Sequence, residues 1–316
     1  MLYCLLVSVP RTSLFPPLLL YYPMNPTPDT PIPHSALRTP HSKIDLHTHT
    51  TASDGALTPT ALLHRAAQVG ISTLAITDHD TVAALTEARP VAEALGIRLI
   101  TGVEFGTNWA DAEIHMLGYF FDPDHPQMQR TLADLREGRL ERGRHMVEKL
   151  NALGLSDVTW ERVEQIAAGG SVGRPHVAEA LIERGYASTI DEAFSKYLGR
   201  GKPAYVERTQ ITPAECISLV HSAGGVISFA HPTWVTDLET LLPSLVEAGL
   251  DGIETYYGLY KPETVAWLEK LARRYNLVPT GGTDFHGRDG LLHADLGSRS
   301  VPPECLAELE RRAHIL

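Results

Sequence analysis

The chain has 316 residues, 43% hydrophobic and 21% charged, which is the make-up of a folded protein large enough for one α/β domain carrying an insertion. A formal charge of −11 argues against nonspecific nucleic-acid binding through a broadly basic surface, and so against stable DNA binding, while leaving room for a small basic pocket. Cys4, Cys216 and Cys305 have neither metal-type spacing nor the number for a disulfide framework, so a reducing cytoplasm is the expected location.

Residues 1–42 hold nine of the 22 prolines and a single acidic residue, Asp29. Pro10 interrupts the first apolar run, the run around Leu18 to Tyr22 is too short to span a bilayer, and Arg11 follows the apolar stretch instead of preceding it. We read this segment as a disordered Pro-rich extension, with Met24 as an alternative start, and expect neither secretion nor a membrane association. From Lys43 the pattern becomes strand, loop, helix. Leu57 to Val69 reads as a helix capped by Thr58 with Pro59 at its first position. Ile71 to Ile76 reads as a buried strand, Val82 to Leu95 as a helix, Ile97 to Thr101 as a strand ending near Glu104, and Ile114 to Phe121 as another strand. Such alternation predicts a parallel sheet with helical crossovers. Gln127 to Leu153 then forms one long charged helix with Leu132, Leu135, Met146, Val147 and Leu150 on a partial apolar stripe. Three shorter helices follow at Trp160 to Ile166, His176 to Arg184 and Ile190 to Leu198, so residues 123–205 read as a helical insertion. Strand–helix alternation resumes at Pro213.

Nine imidazole or carboxylate residues stand out: His47, His49, Asp54, His79, Glu104, His115, His231, Asp284 and His286. Most follow a short apolar run, and ligands at successive strand ends converge only if the strands share one active face. His47-Thr48-His49 places two rings on one face of an extended segment. Taken alone, such a pair is more often structural than metal-binding. Asp54 follows in a Ser53-Asp54-Gly55 turn whose glycine permits a sharp reversal. In Thr77-Asp78-His79-Asp80, His79 is assigned to metal and Asp80 to capping the next helix. Glu104 could be either a ligand or a solvated rim residue. His115 interrupts an apolar strand, where it would be costly without a partner. His231 follows the run Val226 to Ala230, and Asp284 with His286 repeats the alternate spacing. Such N/O donors suit divalent cations and exclude a thiolate-selective metal.

The order of these segments (Asp45-Leu46-His47-Thr48-His49, Ser53-Asp54-Gly55, Thr77-Asp78-His79-Asp80, Gly102-Val103-Glu104, His115, Ala230-His231-Pro232 and Gly282-Thr283-Asp284-Phe285-His286) resembles the polymerase and histidinol phosphatase (PHP) family of metal-dependent phosphoesterases. The resemblance runs from about Lys43 to Gly297. It implies a distorted barrel of seven β/α units and a trinuclear site, with manganese expected and zinc or iron as alternatives. One ion would take His47, His49, Glu104 and Asp284, a second Glu104, His115 and His231, and a third Asp54, His79 and His286. A water between two dications ionises near neutral pH and would attack phosphorus, with His231 and Asp284 as the catalytic residues.

Gly169-Gly170-Ser171-Val172-Gly173-Arg174-Pro175-His176 is a glycine-rich loop ending at a helix start. Backbone amides there attract anions, and an arginine fork matches phosphate. The competing reading is that Arg174 merely caps neighbouring carbonyls. Lys196, Arg200, Lys202 and Arg208 form a local basic run, which a solvated helix face would also explain. Gly173-Arg174-Pro175-His176 and Tyr197-Leu198-Gly199-Arg200-Gly201-Lys202-Pro203-Ala204-Tyr205 resemble one branch of the family, the 3′,5′-nucleoside bisphosphate phosphatases that also act as 5′-to-3′ exonucleases on short RNA. That likeness implies a nucleotide or short oligonucleotide substrate, with Arg174, His176, Lys202 and Arg208 holding its 3′ phosphate. A histidinol-phosphate phosphatase and a noncatalytic nucleotide-binding PHP module are the alternatives, although the latter usually loses ligands. Tyr256, Tyr257 and Tyr260 would either line a base pocket or pack in the core.

Overall fold

The computed structural model describes residues 42–110, 112–208, 210–287 and 294–315; the Pro-rich extension read at 1–42 lies outside them save for Ser42. Among these residues seven strands form one sheet in chain order: β1 (Lys43–Asp45), β2 (Ile71–Ile76), β3 (Arg98–Trp109), β4 (Ala112–Tyr119), β5 (Val226–Phe229), β6 (Gly252–Tyr257) and β7 (Val278–Gly282). The expected parallel pairing holds for β1 to β3 and for β5 to β7, but β4 runs antiparallel to both β3 and β5. Only Ala110 and Asp111 separate β3 from β4, and two residues make a hairpin but cannot make a parallel crossover. The two outer strands meet beyond their ends. Leu46 N donates to Gly281 O at 3.2 Å, Asp284 N to His47 O at 2.8 Å and His49 N to Phe285 O at 3.0 Å. The result is a distorted α/β barrel of seven strands.

β3 also continues eight residues past Thr101, the end of its apolar run. Glu104 therefore sits inside a strand and is 1% exposed, which removes the rim reading. The helix α1 (Pro59–Gln68) starts as its sequence dictates, with Thr58 Oγ1 accepting from Ala61 N. The next helix, α2 (Ala84–Leu95), has no side-chain cap, so Asp80 does not play the capping part expected of it. Asp80 is instead fully buried and accepts from Arg139 and Arg208.

Four helices make the insertion: α3 (Pro126–Ala152), α4 (Trp160–Ala167), α5 (Arg174–Glu183) and α6 (Ile190–Ala193), which runs into a π-helical turn at Phe194–Leu198. The long helix α3 belongs to two cores. Met128, Leu132 and Leu135 near its start pack into the barrel cluster with Phe105, Ile114, Met116 and Val220. Met146, Val147 and Leu150 near its end pack with Val163, Val177 and Leu181 of the insertion. Each such side chain contributes about 1.5–3 kcal/mol when fully buried, so α3 ties the insertion to the barrel from both ends. The barrel is completed by α7 (Pro213–Ser222), α8 (Leu238–Glu247), α9 (Pro262–Arg274) and α10 (Pro303–Arg312). No helix among the described residues is long and apolar enough to cross a membrane.

Candidate metal centre and anion pocket

His47, His79, His231 and Asp284 all lie two or three residues past the ends of β1, β2, β5 and β7. They surround Glu104, which projects from the middle of β3. Glu104 Oε2 lies 3.3 Å from His47 Nε2, 3.1 Å from His49 Nε2 and 3.2 Å from His79 Nδ1. Its other oxygen, Oε1, lies 2.9 Å from His115 Nδ1 and 3.1 Å from His231 Nε2. Asp284 Oδ1 is 3.2 Å from Nε2 of both His47 and His49. Asp54 completes the far side, 3.4 Å from His286 Nε2 and 3.7 Å from His79 Nε2. All nine residues thus come together in one cluster, each no more than 17% exposed at the side chain.

Several of these contacts are not hydrogen bonds. The buried Nε2 atoms of His47 and His49, and Nδ1 of His79, have no hydrogen-bond partner although carboxylate oxygens lie close by. For metal–ligand bonds of about 2.1 Å, neighbouring donors in a tetrahedral or octahedral shell stand about 3.0–3.4 Å apart. The separations around Glu104 Oε2 match that edge, and the mixed imidazole–carboxylate set suits manganese, zinc or iron. Three sets of donors are close enough to share an ion: His47 with His49, Glu104 and Asp284; His49 with Asp54, His79 and His286; and His79 with Glu104 and His115. The residues fit divalent cations.

The electrostatics agree. Burial opposes ionisation of Glu104, yet the rings of His79, His47 and His115 hold its carboxyl well below the usual range. Burial favours neutral rings too, but the surrounding carboxylates lift His47 well above the ordinary histidine value, His49 to about 10 and His115 to about 9. Burial prevails at His79, which falls to about 3. So much negative charge in a buried space demands positive charge, supplied by protons or by cations.

A further shell holds the donors in place, and most of it was not anticipated. Glu254 Oε1 contacts His47 Nδ1 at 2.8 Å, and its Oε2 accepts from His231 N at 2.7 Å. That second bond helps hold His231 at φ 29°, an uncommon conformation for a side-chain-bearing residue. Tyr257 Oη donates to Asp284 Oδ2 at 2.9 Å, leaving Oδ1 facing the two histidines. Tyr257 is therefore neither base pocket nor plain packing, whereas Tyr260 Oη accepts from Thr233. Asp78 gathers the Asp54 loop by accepting from Thr50 N, Thr50 Oγ1 and Ser53 Oγ at 2.6–2.7 Å. Asp45 joins the first and last strands by accepting from Thr283 N and Oγ1, and burial pushes it up to about 6. The sequence signal for Glu254 was present: a carboxylate inside an apolar strand, the same argument that singled out His115.

A cavity of about 200 Å³ opens from the donors towards the insertion and is lined by Arg139, Arg142, Arg174, Phe194 and Trp234. Arg174 lies over the Phe194 ring at 5.3 Å and pairs with Glu113 at 3.2 Å. Arg142 approaches the same carboxylate at 3.6 Å. The other expected phosphate residues are placed elsewhere. His176 is buried, with Nδ1 accepting from Gly173 N at 2.9 Å, and it closes the first turn of α5. Arg208 is buried against Asp80 and the carbonyl of Gly106. Lys202 is exposed and does not line the cavity. Arg139 and Arg142 were missed because the long helix was read as charged on one face. Yet 128, 132, 135, 139, 142, 146 and 150 form one buried stripe, so two arginines stand where apolar residues belong.

The PHP domain family matches residues 45–196. The 5′-3′ exoribonuclease Rnm of Salmonella typhimurium is 40% identical over 251 residues, covering 77% of this chain and 84% of that protein. The 3′,5′-nucleoside bisphosphate phosphatase of Chromobacterium violaceum is 34% identical over 279 residues, covering 86% of this chain and 98% of that one. Among solved structures, a metal-dependent phosphoesterase of Bifidobacterium adolescentis superposes with a TM-score of 0.77 at 31% identity, covering 87% of this chain and 98% of the other. A Chromobacterium violaceum protein described as an amidohydrolase with bound sulfate and no metal gives a TM-score of 0.76 at 34% identity, covering 86% and 97%. The chain belongs to the PHP family. It is a hydrolase acting on phosphate esters.

Proposed function

We propose that the enzyme removes the 5′ phosphate from 3′,5′-nucleoside bisphosphates and releases nucleotides from the 5′ end of short RNA. The observation that carries this reading is that one cavity is lined both by residues of the donor cluster and by Arg174, which offers a reacting centre and an arginine for a second anionic group in the same space. The names of the exoribonuclease and bisphosphatase relatives support the same choice.

Three divalent cations, manganese first among them, would be held by His47, His49, Glu104 and Asp284, by Glu104, His115 and His231, and by Asp54, His79 and His286. When bound, they supply the charge that ionises water near neutral pH and neutralises phosphate oxygens. Glu104 presents both oxygens to the rings around it, and Asp284 presents one while Tyr257 holds the other. His231 Nε2, 3.1 Å from Glu104, is the ring placed to carry a proton when it is not acting as a donor, and Asp284 is the second catalytic candidate. Arg174, with Arg142 beside it, would exchange Glu113 for the 3′ phosphate. His176, Lys202 and Arg208, placed away from the cavity, would act on that phosphate only indirectly. The domain runs over 43–316, with its insertion at about 123–205 roofing the cavity.

The test is metal analysis together with phosphate release from a panel of 3′,5′-bisphosphates, 5′-monophosphates, short RNA and histidinol phosphate. Preference for the bisphosphates and RNA, abolished by chelation and restored by manganese, is expected. Equal turnover of the 5′-monophosphates, or preference for histidinol phosphate, would overturn the substrate assignment. Full activity in a metal-free preparation would overturn the cation assignment.

A further inference from the structure

Trp234 ends the short 3-10 turn Pro232–Trp234 that follows His231, and it is 57% exposed. Five large hydrophobic side chains among the described residues are exposed, Trp234 the most of them, and it is the one that lines the cavity holding Asp284, His231 and Arg174. Isolated exposed hydrophobics are ordinary on a protein surface. This one is also held rigidly. Its ring stacks on His231 with centroids 3.9 Å apart and planes 25° apart, and Tyr257 meets it edge-on at 6.1 Å and 83°. Its backbone N donates to His231 O at 3.0 Å. His231 is in turn fixed through its own backbone N by Glu254. The His231 ring covers one face of the indole, and Trp234 lines the cavity. An oriented aromatic plane beside a phosphoryl-transfer centre suits a ligand that carries a plane of its own close to its phosphate, which a nucleotide does and a sugar phosphate does not.

We propose that Trp234 is the platform on which the base of the substrate nucleotide stacks, an inference that rests on the nucleotide reading above. Stacking is tolerant of sequence because every base has a π face, but a purine covers more of the indole than a pyrimidine does. Trp234 would therefore set a purine preference at the 5′ terminal nucleotide without hydrogen-bond readout. Its seat on His231 also places the base directly beside one of the donor rings, in the cavity that Arg174 lines.

The experiment compares wild type, Trp234→Ala and Trp234→Phe on adenosine 3′,5′-bisphosphate, uridine 3′,5′-bisphosphate and the abasic ribose bisphosphate, with bound manganese measured for each protein. In Trp234→Ala, kcat/KM should fall about tenfold to a hundredfold on the adenosine compound, less on the uridine compound, with the loss confined to substrates carrying a base. Phenylalanine should restore most of the rate. Adenosine 3′,5′-bisphosphate should quench tryptophan fluorescence in wild type, and Trp234→Phe should lose that quench. An equal loss on the abasic substrate, or lower manganese content, would show that Trp234 acts only by holding His231 and would overturn the platform. Unchanged kinetics on the adenosine compound in Trp234→Ala would overturn it as well. A wild type that hydrolyses neither nucleoside bisphosphate sinks the nucleotide reading itself, and the platform with it.

Discussion

Glu254 does not line the cavity, yet it grips the Nδ1 edge of one donor ring and the backbone of another. Residues that fix the far side of a metal-ligating imidazole typically carry about ten- to hundredfold in metal affinity. Glu254→Gln is expected to weaken manganese binding by that amount while the protein stays folded. Equilibrium dialysis against buffered manganese measures the first, and far-ultraviolet circular dichroism the second. Unaltered affinity would show that backbone geometry alone positions His47 and His231. Arg174 is a different kind of residue, because the role proposed for it concerns one substrate group only. Losing a charge-assisted contact of roughly 1.5–3 kcal/mol lowers kcat/KM about ten- to a hundredfold. Arg174→Ala should show that loss on a 3′,5′-bisphosphate, little change on a 5′-monophosphate, and undiminished metal content. A variant equally weakened on both substrates would locate the 3′ phosphate elsewhere.

At the scale of elements, α3 is a beam between two cores with a charged joint in its middle. Arg139 Nε donates to Asp80 Oδ2 at 2.5 Å and Arg208 Nη1 at 2.8 Å to the same oxygen, all three groups being buried. Although burial resists it, the two guanidinium groups bring the Asp80 carboxyl down to about 2. Its folded pKa lies below its unfolded one, so its stabilisation is complete above about pH 4 and disappears as pH falls through about 2. Breaking a buried pair by removing one partner costs about 3–5 kcal/mol. Asp80→Ala is therefore expected to lose that much in urea unfolding near neutral pH, with the gap to wild type closing in strong acid. A difference that stays constant across this acid range would mean that cavity formation, and not charge, is the cause. The same joint explains why the capping reading of Asp80 failed. A short-range rule suggested a partner within the next helix, while the actual partners stand 59 and 128 residues away.

The whole molecule gathers negative charge past the strand ends of its barrel, where the surrounding histidine rings keep Glu104 and Asp54 ionised in spite of desolvation. A ligand that binds the folded state but not the unfolded chain stabilises it by about 2.7 kcal/mol at a hundredfold excess over Kd. Manganese loading should therefore raise Tm by several degrees, and a chelator should reverse the gain. Asp284→Ala and His49→Ala should each blunt the response, since both residues belong to the donor set around Glu104 Oε2. A Tm insensitive to manganese in wild type would argue that the cluster balances its charge with protons alone.

The donors themselves were legible from the linear chain. Polar residues just past apolar runs, and a histidine inside one, are costly unless something pairs with them, and that reasoning pointed to most of the nine residues that gather in the cluster, with Asp54 marked instead by its glycine turn. The barrel class was legible for a similar reason, since its repeating strands and helices carry their own periodicity. The antiparallel β4 and the buried place of Glu104 depended on a two-residue connection and on register between strands, which local patterning does not encode. The arginine lining of the cavity was least accessible. Arg174, Arg142 and Glu113 come from α5, α3 and β4, and only packing decides which of many surface arginines face one cavity. Sequence determined which residues had to find partners; the tertiary structure decided who those partners were, because ion pairs and the hydrogen bonds that hold the donors join positions that are distant along the chain.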